Sequence, residues 1–231
     1  MNRSVTNIIR YFMDELLPPF IRDSRWFMYP FFYYAFRGYK SKDMALYMNF
    51  KSLAYDMTEK EFTAAYQELD SLGGDRPTDM NEGCMRYVLQ HYDRKAKTML
   101  DVGCGRGYWA DRIYDETNLR VTGCDVLDKV NIKGTYVQGS MEKLPFKDNS
   151  FDIVFSSHTI EHIRELPTAI NELKRVAKKQ IIIVTPCQRY YYYTLDMHLN
   201  CFPQQSYLRK ALNEPMAVCK KISGDWVAII N

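Results

Sequence analysis

The chain predicts an α/β fold, a mostly parallel sheet of seven strands with helices on both faces, preceded by an N-terminal helical extension. Three observations carry this reading. Residues 1–95 hold helical apolar spacing without strand alternation. From residue 97 short apolar runs alternate with helical stretches, the pattern of parallel strands joined by crossovers. One of those runs ends in an acid followed by three spaced glycines, Asp101-Val102-Gly103-Cys104-Gly105-Arg106-Gly107. The predicted division is a helical extension or lid over 1–95 and a core over 96–231, with a substrate-pocket loop at 187–215.

Composition limits the options. At 231 residues, 46% hydrophobic and 26% charged, the chain can bury one α/β core and an extension. A net charge of +3 demands no polyanionic partner. Six cysteines occur without a CxxC pair, and no signal peptide is evident, so reduced thiols in a cytoplasmic protein are expected rather than a zinc or disulfide framework. The longest uncharged apolar run, Trp26 to Phe36, is too short to span a bilayer.

The elements follow in order. Ile8, Ile9, Phe12, Leu16 and Leu17 form one apolar face, closed by Pro18-Pro19. A second helical segment runs from Asp23 to Phe36, with Pro30 expected to kink or divide it. A third covers about Ser41 to Tyr55. Thr58 and Glu61 make a capping box for a helix ending at Gly73-Gly74, and Asp79 to Glu82 is a box-like start for a helix through Tyr92. Strands are expected at about 98–102, 120–125, 135–138, 152–156 and 180–185. The intervening helices lie at about 107–117 and from Pro167 to Lys178. Val218–Ile222 and Trp226–Ile230 flank Ser223-Gly224-Asp225 as a closing hairpin.

Glycines after the first strand let a ligand approach the main chain, and the N–H groups opening the next helix can meet a carboxylate or phosphate. Asp125 ends the second strand, where an acid can accept hydrogen bonds from both hydroxyls of a ribose. Further on stand Gly139-Ser140-Met141, Leu144-Pro145-Phe146, Ser150-Phe151-Asp152 and Ser157-His158-Thr159-Ile160-Glu161-His162. Together these stretches resemble the class I S-adenosylmethionine-dependent methyltransferases of the small-molecule, type 11-like group. The resemblance is close over roughly Tyr87 to Thr185 and looser in the tail.

The resemblance implies a Rossmann-like sheet closed by an antiparallel strand pair, S-adenosylmethionine as cofactor, S-adenosylhomocysteine as product, and no metal. It implies that Asp101 positions the methionine amino group and that Gly103, Gly105 and Gly107 keep the loop bare. Cys104 would lie near the ligand through its backbone, and Tyr108 would edge the site. Asp125 would take the ribose hydroxyls and Val126 the adenine. Ser140 and Met141 match the adenine-edge position, although the family commonly has Asp where Ser140 stands. Ser157 and His158 would lie near the transferred methyl. His158 is a candidate general base or substrate-orienting group, and His198 is a second base candidate; a packing role stands beside both.

Four tyrosines and Arg189 between Cys187 and Phe202 suit a polar-aromatic acceptor wall, or a loop packed on the sheet edge. Pro186-Cys187-Gln188 spells the motif of cytosine-C5 DNA methyltransferases, but it follows the fifth strand rather than the fourth. The expected acceptor is a small molecule methylated at oxygen or nitrogen, such as a sugar or a cell-surface glycan precursor. Arg22 to Lys40, dense in aromatics, reads first as a lid or core helix pair. It also suits a lipid-linked or quinone-type acceptor at a membrane surface, with peripheral contact to the inner face. A third reading is a non-catalytic cofactor-binding partner subunit. No nucleic-acid partner is expected, because no basic stripe interleaved with aromatics stands out beyond Arg22–Lys40. The sequence leaves the oligomeric state open.

Overall fold

The computed structural model describes residues 11–37, 41–70, 78–193 and 196–231. The chain divides into two compact units: Met1–Gly74 with Arg189–Leu199, and Asp75–Gln188 with Asn200–Asn231. The first boundary therefore falls ahead of the expected residue 95. The second unit keeps the following helix because that helix buries Met85 and Val88 against the sheet.

The first unit is helical. Phe12–Leu16 makes one π-helical turn, which ends where Leu17 turns extended ahead of Pro18. Helices α1 (Pro19–Arg22), α2 (Arg25–Ala35), α3 (Ser41–Leu53) and α4 (Glu59–Asp70) follow. Helix α2 runs through Pro30 and is not divided there, and the chain instead breaks at Asp23-Ser24, where Ser24 is extended. Met28, Phe32 and Phe36 are buried at four-residue spacing on both sides of the proline. That shared seam outweighs the hydrogen bond the proline removes. The capping box forms as read: Thr58 N donates to Glu61 Oε2 at 2.9 Å and Glu61 N to Thr58 Oγ1 at 3.4 Å. The Gly73-Gly74 stop and the Ile8-Ile9 part of the first face lie outside the described residues.

Residues 189–199 complete this unit's core. Met197 joins the cluster of Phe32, Tyr47, Met48, Phe50 and Phe62. Tyr66 donates its hydroxyl to Met197 O at 2.9 Å, and Tyr192 N donates to Asp23 Oδ1 at 2.9 Å. The buried Arg22 guanidinium lies 4.7 Å from the centre of the Tyr191 ring. The tyrosine run is thus engaged in packing within the helical unit.

The second unit carries a seven-stranded sheet in the order β3-β2-β1-β4-β5-β7-β6. The strands are β1 (Thr98–Val102), β2 (Arg120–Asp125), β3 (Thr135–Gln138), β4 (Phe151–Ser157), β5 (Ala177–Pro186), β6 (Val218–Ile222) and β7 (Asp225–Ile230). The first five run parallel, and β7 pairs antiparallel with both β5 and β6. Helices α5 (Glu82–His91), α6 (Tyr108–Glu116), α7 (Leu166–Val176) and α8 (Gln205–Leu212) pack on it. Successive strand residues face opposite sides. Met99, Ile153 and Ile182 pack with Met85 and Ile113, whereas Leu100, Val154 and Ile181 pack with Leu173 and Leu208. The sheet is covered on both faces, as its continuous apolar runs require.

Two local details differ from the sequence reading. Asn81, rather than Asp79, caps α5, its Oδ1 accepting from Cys84 N at 2.9 Å. The stretch expected as a pocket loop contains α8, whose buried Leu208 and Leu212 mark one face and whose end is set by left-handed Asn213. Among the described residues, no helix is long and apolar enough to cross a membrane.

Pro30→Ala supplies the N–H that α2 lacks and is expected to stabilise that helix by about 1–3 kcal/mol. Hydrogen-exchange mass spectrometry should show slower exchange in peptides covering α2; unchanged exchange would refute the account of the seam.

Candidate active site

The order of the sheet reverses between β1 and β4, and the loops at their carboxyl ends face one crevice. In register, Asp101 lies beside Gly123 of β2 and Phe155 of β4. The buried backbones of three strands therefore fix the height at which the site begins.

Gly103, Gly105 and Gly107 all take positive φ. At Gly103 a Cβ would stand 2.2 Å from Thr159 Oγ1, so a side chain is sterically barred. At Gly105 a Cβ would meet nothing within 4 Å. This is the bare strip on which a ligand can lie against the main chain. Gly107 is the N-cap of α6 and offers no side-chain hydrogen bond to the first turn. The opening N–H groups of that helix are left to an incoming carboxylate. Tyr108 opens the helix, partly exposed, with its ring edge-on to Trp109; Trp109 is buried, as a core residue should be.

Asp125 is tied into the turn. Its Oδ2 accepts from Gly105 N at 2.7 Å and its Oδ1 from Leu127 N at 3.2 Å. Tyr136 of β3 donates to Asp125 O or Leu127 O, and Gln138 Nε2 to Val126 O at 3.1 Å, which braces the loop beyond β2. Cys104 is half-buried, and burial pushes its thiol well above the usual range, with Asp101 and Asp125 adding to the effect. It is no nucleophile there.

Asp101 is buried, and that burial, reinforced by the nearby Asp125 charge, pushes its pKa up to about 8. A buried acid in this state is stabilised by an arriving cation. Ser140 is half-buried and its Oγ accepts from Glu142 N at 3.3 Å. Met141, expected against an adenine ring, has its side chain in the core with Leu144 and Phe151, because its turn directs that side chain inward.

Ser157 ends β4, and His158 follows in a left-handed conformation with φ of 51°, a strained position for a non-glycine residue. Thr159 Oγ1 lies 3.0 Å from Ser157 O and 3.4 Å from Gly103 O, joining this loop to the glycine turn. The His158 imidazole stands between two buried carboxylates. Nδ1 is 3.5 Å from Glu161 Oε1, and Nε2 is 3.5 Å from Asp225 Oδ2. Glu161 Oε2 accepts from Thr185 Oγ1 at 3.1 Å, and Asp225 Oδ2 accepts from Asn81 Nδ2 at 2.7 Å. Burial alone would lower the His158 pKa; hydrogen bonding by Asp225 and the charges of Glu161, Asp225 and Asp79 outweigh it and hold the pKa above the ordinary value.

The second base candidate is placed differently. His198 belongs to the first unit, buried, with Nδ1 3.2 Å from Asp196 Oδ2. His162 is half-buried on the 3₁₀ turn Ile160–His162. Asn200 clamps that turn, its Nδ2 donating to Ile160 O at 3.0 Å and Ile163 O at 2.6 Å. Asn81, Asn200 and Asp225 are site-supporting residues that no local motif announces. The Gly224-Asp225 hairpin signal is the nearest hint.

Residues 100–185 match the family model described as a methyltransferase domain. Over 93 residues the chain is 36% identical to the malonyl-[acyl-carrier protein] O-methyltransferase of Serratia marcescens, covering 37% of this chain and 36% of that protein. Over 92 residues it is 32% identical to the mitochondrial arginine-hydroxylase NDUFAF5 of Mus musculus, covering 37% of this chain and 27% of that protein. These matches span only about a quarter to a third of the relatives' own length. Among solved structures, an S-adenosylmethionine-dependent methyltransferase from Aquifex aeolicus superposes with a TM-score of 0.51 at 17% identity, over 76% of this chain and all of that one. That last likeness is one of fold.

The Asp101 carboxyl gives a pH signature. Its folded-state pKa of about 8 lies above the ordinary 3.8, so the folded protein holds the extra proton between those values and loses stability as pH rises through them. Asp101→Asn, which carries no charge, should raise Tm at pH 8.5 by roughly 5–10 °C, on the order of 2–3 kcal/mol, with the gap closing toward pH 5. A gap that does not vary with pH would show that Asp101 is ionised in the folded state.

Proposed function

From the premise that residues 100–185 are a class I S-adenosylmethionine-dependent methyltransferase domain, we propose that this protein transfers a methyl group to an oxygen or nitrogen of a small-molecule acceptor, a hydroxyl of a sugar or glycan precursor being favoured. One observation carries the reading: through Thr159, the glycine turn adjoins the loop that presents His158. The relatives' names point to different targets, so the choice of acceptor rests on the site.

The residues fit the cofactor. Gly105 leaves the bare strip, Asp125 stands at the tip of β2 where an acid can take ribose hydroxyls, and the glycine-opened start of α6 suits the methionine carboxylate. Asp101 suits the ammonium group. When bound, S-adenosylmethionine would supply a methyl group on a sulfonium sulfur, with S-adenosylhomocysteine as the product. His158 takes the proton that the acceptor hydroxyl gives up as the new O–C bond forms. Asp225 and Glu161 stabilise the resulting imidazolium, and Asn81 and Thr185 keep those carboxylates aimed. The strand tips exclude water and align the reactants, from which much of the rate of an in-line displacement can come.

Two measurements test this. Calorimetric titration should show binding of S-adenosylmethionine and S-adenosylhomocysteine, weakened roughly 10- to 100-fold in Asp125→Ala by loss of hydrogen bonds to a charged acceptor. Absence of binding by the wild type would sink the reading. With a hydroxyl acceptor in hand, kcat/KM should rise with pH through a pKa above the ordinary histidine value, because only neutral His158 accepts a proton. Asp225→Asn should shift that limb to lower pH, whereas a merely structural Asp225 would lower the rate without moving it.

A further inference from the structure

Helix α2 is buried along one seam only, Met28, Phe32 and Phe36. Around the rest of its circumference a surface helix normally carries charged side chains. Here Trp26 is 72% exposed, Tyr29 45%, Phe31 50%, Tyr33 63% and Tyr34 77%, and Phe20 on α1 is 77% exposed. Apolar faces of this extent mark an interaction surface. From Trp26 to Phe36 there is no charge, and the helix is bracketed by exposed Arg25 and Arg37.

Two features choose the occupant. The large outward side chains between Trp26 and Tyr34 are all aromatic, with no Leu, Ile or Val among them. Tyrosine hydroxyls and the indole N–H need water or polar groups while their rings do not, which is the chemistry of a headgroup boundary. Charge is the second feature. Between residues 22 and 42 five basic residues stand against one acid, although the whole chain carries only +3. Of these, Arg25 and Arg37 are exposed at the two ends of the aromatic face, a pattern complementary to an anionic surface.

We propose that the helical unit docks on an anionic lipid bilayer, with α2 lying in the interfacial plane and its outward aromatic rings inserted among the headgroups. This goes beyond the methyl-transfer reading and does not depend on it.

The test is co-sedimentation of the full chain with vesicles of phosphatidylcholine, with and without about one-third phosphatidylserine, at physiological salt. The expected result is recovery with the anionic vesicles, falling as salt rises, and a blue shift in tryptophan emission. Trp26 is the exposed indole, since Trp109 is buried and Trp226 half-buried. Trp26→Ser with Tyr33→Ser should lower the partition coefficient roughly tenfold or more, and Arg25→Glu with Arg37→Glu should abolish the preference for anionic lipid. Circular dichroism and S-adenosylmethionine binding of both variants separate a docking defect from a folding or site defect. Absence of recovery, equal recovery with both vesicle types, or a concentration-dependent dimer that the aromatic substitutions dissolve would each overturn the proposal.

Discussion

The hydrogen bond from the Gly105 amide to the Asp125 carboxylate joins the turn after β1 to the tip of β2, and the remaining site geometry follows from it. A chain leaving β1 must turn sharply to enter α6, and it does so through three positive-φ glycines. Gly103 N donates to Cys124 O at 2.8 Å and Cys104 N to the same oxygen at 3.3 Å. The turn is thereby clamped to β2 on one side, while Thr159 reaches it from the β4 side. The open face above Gly105 is what remains when both flanks are occupied. Its shape is set by backbone hydrogen bonds that the sheet would make with or without a ligand.

The same packing gathers acids. Asp125 stands close enough to Asp101 to hold its pKa up, and Glu161 and Asp225 flank His158. A buried carboxylate is costly without a partner. The second pair is offset by the imidazole and by Asn81 and Thr185, whereas Asp101 retains a proton in the absence of a cation. A crevice of this kind favours a ligand carrying positive charge, as a sulfonium and an ammonium do, and disfavours a phosphate-rich one.

Much of this was legible from residues because it is local. β1 and β2 fall where the apolar runs and their acids predict them, since a strand with a buried apolar run has few other registers. Gly105 and Asp125 were legible for the same reason: the turn and the strand tip are each written in a few consecutive residues. The partners of His158 were not. Asp225 reaches it only because β7 returns antiparallel beside β5, placing Asp225 opposite Pro186. Nor does any local pattern announce that Arg22 will be buried against Tyr191. That contact draws the tyrosine run, expected as an acceptor wall, into the helical unit.

Helix α2 shows how the two kinds of information combine. Its aromatic density admitted a core helix, a lid or a membrane contact, because sequence alone does not tell which aromatics face inward. The structure assigns Met28, Phe32 and Phe36 to the seam and leaves Trp26, Tyr29, Tyr33 and Tyr34 outside. A core reading accounts for the first set and says nothing of the second. Burial of the seam is also what lets the helix continue through Pro30, so one contact line both tolerates the proline and orients the exposed rings. Retaining aromatic rings on the outward side leaves apolar surface in water, a free-energy cost that packing within this unit does not offset. Contact with a surface that removes those rings from water while keeping their polar edges solvated would offset it.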